Sequence, residues 1–176
     1  MSIDIICVIE VVDESSAPWP WARLKLPRDY ELFSAIAGVR SQPGEHHLFP
    51  PRGLPAIRSY VVHDYCFLQV VEDADVESPL NRGENVVPRS TADQWVRDGL
   101  ANYIPNAYGV QNGFVSNKEW HTHSWLTLAE LSQALDYAGL STEDRSPEFR
   151  AALVAMDELS KTYGRDSVRL VFWFCN

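Results

Sequence analysis

Residues 3–12 read IDIICVIEVV, and the architecture follows from them. Side chains alternate between faces along an extended chain. Ile5, Cys7, Ile9 and Val11 therefore share one face, while Asp4, Ile6, Val8 and Glu10 share the other. Both faces are mostly apolar, so this strand belongs inside a sheet and is covered on both sides. The chain closes on a second apolar strand, SVRLVFWFCN (167–176), expected to lie beside the first.

Between these two strands the pattern alternates between helical and extended signals. Asp13 to Pro20 is a turn-rich link, and Ala22–Leu26 pairs back as a hairpin. In RDYELFSAIAGVR (28–40), Asp29 caps a helix whose apolar stripe is Leu32, Phe33, Ile36 and Ala37, closed by Gly38. Residues 41–56 carry Pro43, Gly44, Pro50, Pro51, Gly53 and Pro55 and form a stiff loop that also holds His46 and His47. Ser59–Glu72 reads as one strand, or as two joined by a bulge at His63-Asp64, and residues 78–89 as loop. Ser90 or Thr91 opens a helix to about Asn102 with Trp95, Leu100 and Tyr103 inward, and Pro105 stops it. Asn106 to Lys118 is loop with short extended pieces. Thr127 opens a helix to Ala138, with Glu130 completing a capping box, Leu126 and Leu131 stapling it and Gly139 following it. Ser146-Pro147 starts a last helix with Phe149, Ala152, Leu153, Met156, Leu159 and Tyr163 as its buried stripe, ended by Gly164. The expectation is one α+β domain over 1–176: a mixed or mostly antiparallel sheet, terminal strands central, packed by three to four helices.

The totals exclude several function classes. At 176 residues with 45% apolar side chains the chain can bury a sizeable core. No apolar run approaches the roughly 20 residues that span a bilayer, so no membrane role is expected. The N-terminal stretch lacks a basic region before its apolar residues and reads as a strand rather than a signal peptide. Three cysteines set far apart among apolar residues read as buried free thiols in a cytoplasmic protein. A net charge of −9 argues against nonspecific nucleic-acid binding. There is no P-loop, G-x-G-x-x-G, G-x-S-x-G, H-E-x-x-H or C-x-x-C, which removes the common NTPase, dinucleotide, serine-hydrolase and zincin readings.

The densest chemistry lies in WHTHSWLTLAEL (120–131). In an extended His-x-His both imidazoles point to one side, roughly 7 Å apart at the Cα atoms. His121, His123, Ser124 and Trp125 thus precede a helix end whose free N–H groups favour an anion. Arg40, Arg52 and Arg58 surround the proline-rich loop and could grip phosphate or carboxylate, with Trp125 stacking on a nucleotide-like ring. The ligand-binding candidates are therefore Arg40, Arg52, His121, His123, Ser124 and Trp125. Two histidines are also half of a divalent-metal site, and Asp4 is the third ligand assigned to them, with Glu10, His63 and Asp64 as other candidates. Asp4 and Glu10 lie roughly 20 Å apart along one strand and cannot both serve. His63-Asp64 could instead act as an oriented general base.

RDYELFSAIAGVR, PPRGLP and WHTHSWLTLAEL together resemble a set of small bacteriophage and prophage proteins of unassigned biochemical function. Members tend to open Gly-Cys-Asp-Ile-His with a Glu four residues on. They continue with a Tyr-x-Leu-Phe helix ending in Val-Arg, a Pro-Arg-Gly-Leu-Pro loop and a His-Ser-His-Ser-Trp-Leu-Thr segment, and often end in a Phe-Trp-Phe strand. Asp4, Glu10, Tyr30, Leu32, Phe33, Val39, Arg40, Pro51, Arg52, Gly53, His121, His123, Ser124, Trp125 and Thr127 match. Ile6 stands where the family usually has His, which removes a half-site beside Asp4. The resemblance implies a phage context and no reaction. The leading expectation is a cytoplasmic binding protein without a cofactor that acts on a host protein or a nucleotide-like anion, for instance in counter-defence. A metal-dependent phosphoester or nucleotide hydrolase using His121 and His123 is the first alternative, and a virion structural or assembly protein the second.

Overall fold

The computed structural model describes residues 4–13, 16–41, 47–78, 85–104 and 113–175. Pro43, Gly44 and His46 of the proline-rich loop, the helix stop at Pro105, and much of the loops expected at 78–89 and 106–118 lie outside them. The chain divides into two units, Met1–Tyr60 with Trp120–Asn176, and Val61–Glu119. The described elements make an α+β protein with two four-stranded sheets.

The first unit is built on strands β1 (Asp4–Val11), β2 (Trp19–Leu26), β7 (Trp120–Thr127) and β8 (Val168–Cys175). Their order is β2-β1-β8-β7, with every neighbour antiparallel, so the first and last strands are central as expected. Ile5, Cys7, Ile9, Leu126, Leu170, Phe172 and Phe174 form one face of the core. Onto it pack α1 (Tyr30–Ala37), α4 (Leu128–Tyr137) and α5 (Pro147–Tyr163) through Leu32, Phe33, Ile36, Leu131, Leu135, Phe149 and Met156. Val8, Glu10, Val171 and Trp173, which point the other way, are buried too, so the sheet is covered on both faces.

The local signals act where the residues place them. Asp29 accepts from Leu32 N at the start of α1, and Ser146 accepts from Phe149 N at the start of α5. Thr127 and Glu130 form the capping box of α4, and the staple residues Leu126 and Leu131 are both fully buried. Gly38 closes α1 at φ 66°, where a Cβ would sit 2.6 Å from the His47 ring, so both conformation and space demand glycine. Tyr163 departs from the reading of α5: it is 46% exposed, outside the buried stripe, and packs edge-on to Trp19. Cys7 and Cys66 are buried free thiols, and Cys175 is a partly exposed one.

The second unit holds β3 (Phe67–Val71), β4 (Val86–Pro88), β5 (Tyr103–Ile104) and β6 (Phe114–Ser116), in the order β4-β3-β6-β5. The β3–β4 pair is parallel; the other pairs are antiparallel. Val70, Val87, Ala92, Ala101 and Val115 form its small core. Three expectations fail here. Residues 60–66, read as strand, form helix α2 (Tyr60–Cys66), with Val62 and Cys66 buried one turn apart. Seven residues are too few for periodicity to separate strand from helix, and packing overrides the β-branched composition. Val86–Pro88, read as loop, is a strand. The helix from Ser90 ends early, as α3 (Arg89–Arg97), because Gly99 at φ 70° turns the chain and leaves Leu100 54% exposed.

Candidate functional site

Strand β7, the proline-rich segment and the cleft beside them lie in the first unit. Strand β7 does not hold its two histidines on one side. His121 pairs with Phe174 and Ser124 with Phe172, so Thr122 and His123 together oppose Trp173. This one-residue bulge places Thr122 at φ 51°, an uncommon and strained setting for a β-branched residue. His121 stacks on Phe174 at 6.0 Å and 24°, whereas His123 lies over Trp173 at 6.5 Å and 31°. Consecutive residues of β8 point to opposite faces, and the imidazoles follow them apart. The expectation of a same-side pair is therefore corrected: it assumed a regular strand. Both Nε2 atoms are buried without a hydrogen-bond partner. Burial, and to a lesser degree His121, pushes the His123 pKa down to about 4. His123 is thus a neutral imidazole near neutral pH.

The proline-rich segment is fastened to the outer edge of β7. Gly53 N donates to His123 O at 3.0 Å, and Arg52 N to the hydroxyl of Ser124 at 3.2 Å. The Arg52 guanidinium lies between Phe49 and Trp125, 5.2 and 4.9 Å from the ring centroids. It grips Glu130 with Nη1 at 3.1 Å and Nη2 at 2.6 Å. Glu130 also accepts from Thr127 N at 2.9 Å. Burial alone would raise the Glu130 carboxyl, but Arg52 and Thr127 outweigh it and hold it below its usual value. The anion expected at the start of α4 is thus supplied by the chain itself. Ser124 is buried and serves as an anchor for the Arg52 backbone.

A second guanidinium, absent from the sequence-based candidates, approaches Trp125. Arg169 lies 5.6 Å from that ring and donates to the fully buried Glu10 from Nε at 2.8 Å. Ser59 N donates to the other Glu10 oxygen at 2.7 Å. Glu10 after the apolar run Ile5–Ile9, with an arginine one residue into the closing strand, was the available signal, because a buried carboxylate requires a partner.

Arg52, Trp125 and Arg169 line an open cleft of about 530 Å³, whose remaining wall is mostly apolar, with Pro18, Leu54, Pro55 and Ile57, but also carries Asp13 and Ser16. Among the described residues each guanidinium keeps N–H groups that its carboxylate does not engage, since Arg169 Nη1 and Arg52 Nε make no hydrogen bond. Arg40 does not join them: it is exposed, at φ 62°, 5.9 Å over Tyr30. Arg58 is tied to the Pro55 carbonyl at 2.9 Å. In the second unit, His63 contacts Asp64 at 3.4 Å and packs against Phe67 and Phe114.

The proposed metal ligands do not fit an ion. Asp4 is held by Lys25 at 2.8 Å and Arg28 at 3.3 Å, and the hydrogen bond from Lys25 is the chief reason its carboxyl lies below the usual range. His121 and His123 face apart, and among the described residues no three His, Cys, Asp or Glu side chains form a metal-ligating group. No helix among the described residues is long and apolar enough to cross a membrane. Compared with known proteins, the chain matches no family model, and no curated protein or solved structure is significantly similar to it.

Proposed function

We propose that this chain works by binding, and that its cleft takes a small ligand combining a flat ring with an anionic group, as a nucleotide does. The observation that carries the reading is the Trp125 ring flanked by Arg52 at 4.9 Å and Arg169 at 5.6 Å in a concave site with an apolar proline-rich wall. Pockets of this size, mostly apolar with a few fixed polar groups, are the usual form of small-ligand sites. Glu130 and Glu10 hold the two guanidiniums in place, so little side-chain freedom is lost on binding. The same carboxylates offset the positive charge. Recognition then rests on directed N–H donation and ring contact, and its salt dependence is shallow.

The resemblance to phage and prophage proteins supports a role against a host, with a host nucleotide signal as the ligand. The test is calorimetry of the protein, and of Trp125→Ala, against mono-, di- and cyclic nucleotides. The proposal expects saturable binding of at least one, lost in the variant. Silence across the panel rejects it and leaves a host protein segment as the occupant of the cleft.

A further inference from the structure

A second recess in the first unit, about 330 Å³, is lined by Val11, Val12, Asp13, Trp19, Tyr163 and Ser167. The geometry points to a site for an organic cation, an alkylammonium or guanidinium group, held in the corner that the Trp19 and Tyr163 rings form, with Asp13 as counter-charge. Trp19 and Tyr163 stand 5.6 Å apart at 79°, so they form two walls of a corner rather than a parallel stack. Trp21 abuts Trp19 at 5.7 Å and 62° and fixes its orientation. The face of an aromatic ring is the negative end of its quadrupole, and a cation near two such rings gains from both.

The sequence context agrees. Trp19 packs partly against the core, whereas Tyr163 is 46% and Trp21 52% exposed, so burial does not account for those two rings. Among the described residues that line the recess, Asp13 is the one charged side chain. The chain as a whole carries −9, which raises the local concentration of cations. Val12 and Asp13 also line the Arg52–Trp125–Arg169 cleft, so the two sites share a wall while selecting opposite charge. The assignment goes beyond the anion-binding reading and does not rest on it.

The test is a titration of the ¹⁵N-labelled protein with tetramethylammonium and with methylguanidinium chloride, read at the tryptophan indole N–H signals, with sodium chloride as control. Trp19 is expected to shift saturably, with a Kd of roughly millimolar order, while Trp125 stays in place. Tyr163→Leu and Asp13→Asn, both at exposed positions, are each expected to weaken binding about 3- to 10-fold while leaving the other indole signals unmoved. Nε-trimethyllysine and a short lysine-bearing peptide identify the source: tighter binding of the peptide assigns a protein side chain, and equal or weaker binding assigns a free amine. A Trp19 response that is linear and matches sodium chloride, or that persists unchanged in both variants, overturns the proposal. Because nucleotide binding is read at Trp125, either site can fail without the other.

Discussion

Glu10 and Arg169 face each other across the β1–β8 ladder, and the guanidinium meets the fully buried carboxylate at 2.7 Å. The pair ties the sheet to the segment before α2, since Glu10 also accepts from Ser59 N and Arg169 donates to the Ile57 carbonyl. Removing one partner leaves a buried charge unmatched. Glu10→Leu is expected to cost about 3–5 kcal/mol in urea unfolding, and the double variant Glu10→Leu/Arg169→Leu to recover at least half of that. Additive losses would mean that the pair is not coupled.

His123 makes stability pH-dependent. The unfolded chain takes up its proton near pH 6.5 and the folded chain only near 4, so between these values the unfolded state binds more protons. The contribution is fully present above about 6.5 and is lost as pH falls toward 4, with a slope of up to ~1.4 kcal/mol per pH unit. His123→Phe keeps a ring over Trp173 and removes the titrating group. Chemical denaturation at pH 7, 6 and 5 should show the variant losing less stability than the parent; parallel losses would contradict this.

Thr122 sits at φ 51° in the bulge of β7. Glycine adopts that conformation without the Cβ clash, although Thr122→Gly also loses the 2.9 Å contact between Oγ1 and His121 Nδ1. A net gain of up to about 1 kcal/mol is expected in the denaturation midpoint. A clear loss would mean that the hydroxyl contact outweighs the backbone strain.

Arg52 holds Glu130 through two nitrogens while lying between two rings, a geometry that an ammonium cannot reproduce. Arg52→Lys should therefore weaken ligand binding at the cleft by at least about 5-fold and lower stability by roughly 1–2 kcal/mol. Calorimetry and urea unfolding of this variant measure the two effects separately. Affinity and stability equal to those of the parent would show that the fork is dispensable.

Much of the first unit was legible because its signals are local and strong. Alternation in β1, the Asp29 and Ser146 caps and the Thr127–Glu130 box each act within a few residues, and each is realised. The second unit was less legible, since strands of two to five residues and a seven-residue helix carry little periodicity. At the site, Arg52 and Trp125 were legible as chemistry, and the structure brings them together. The divergence of His121 from His123 was not, because it depends on one unpaired residue whose position is set by pairing with β8. Arg169 was missed because its partner lies 159 positions away in the chain.

The six tryptophans offer the most direct test of the cleft. Their indole N–H signals can be assigned by single Trp→Phe substitutions and followed during titration with the best-binding nucleotide of the panel. The account predicts a saturable shift centred on Trp125, reduced in Arg169→Lys, with the fully buried Trp173 unmoved. A titration that saturates while Trp125 stays still, or that shifts all six signals alike, would contradict it.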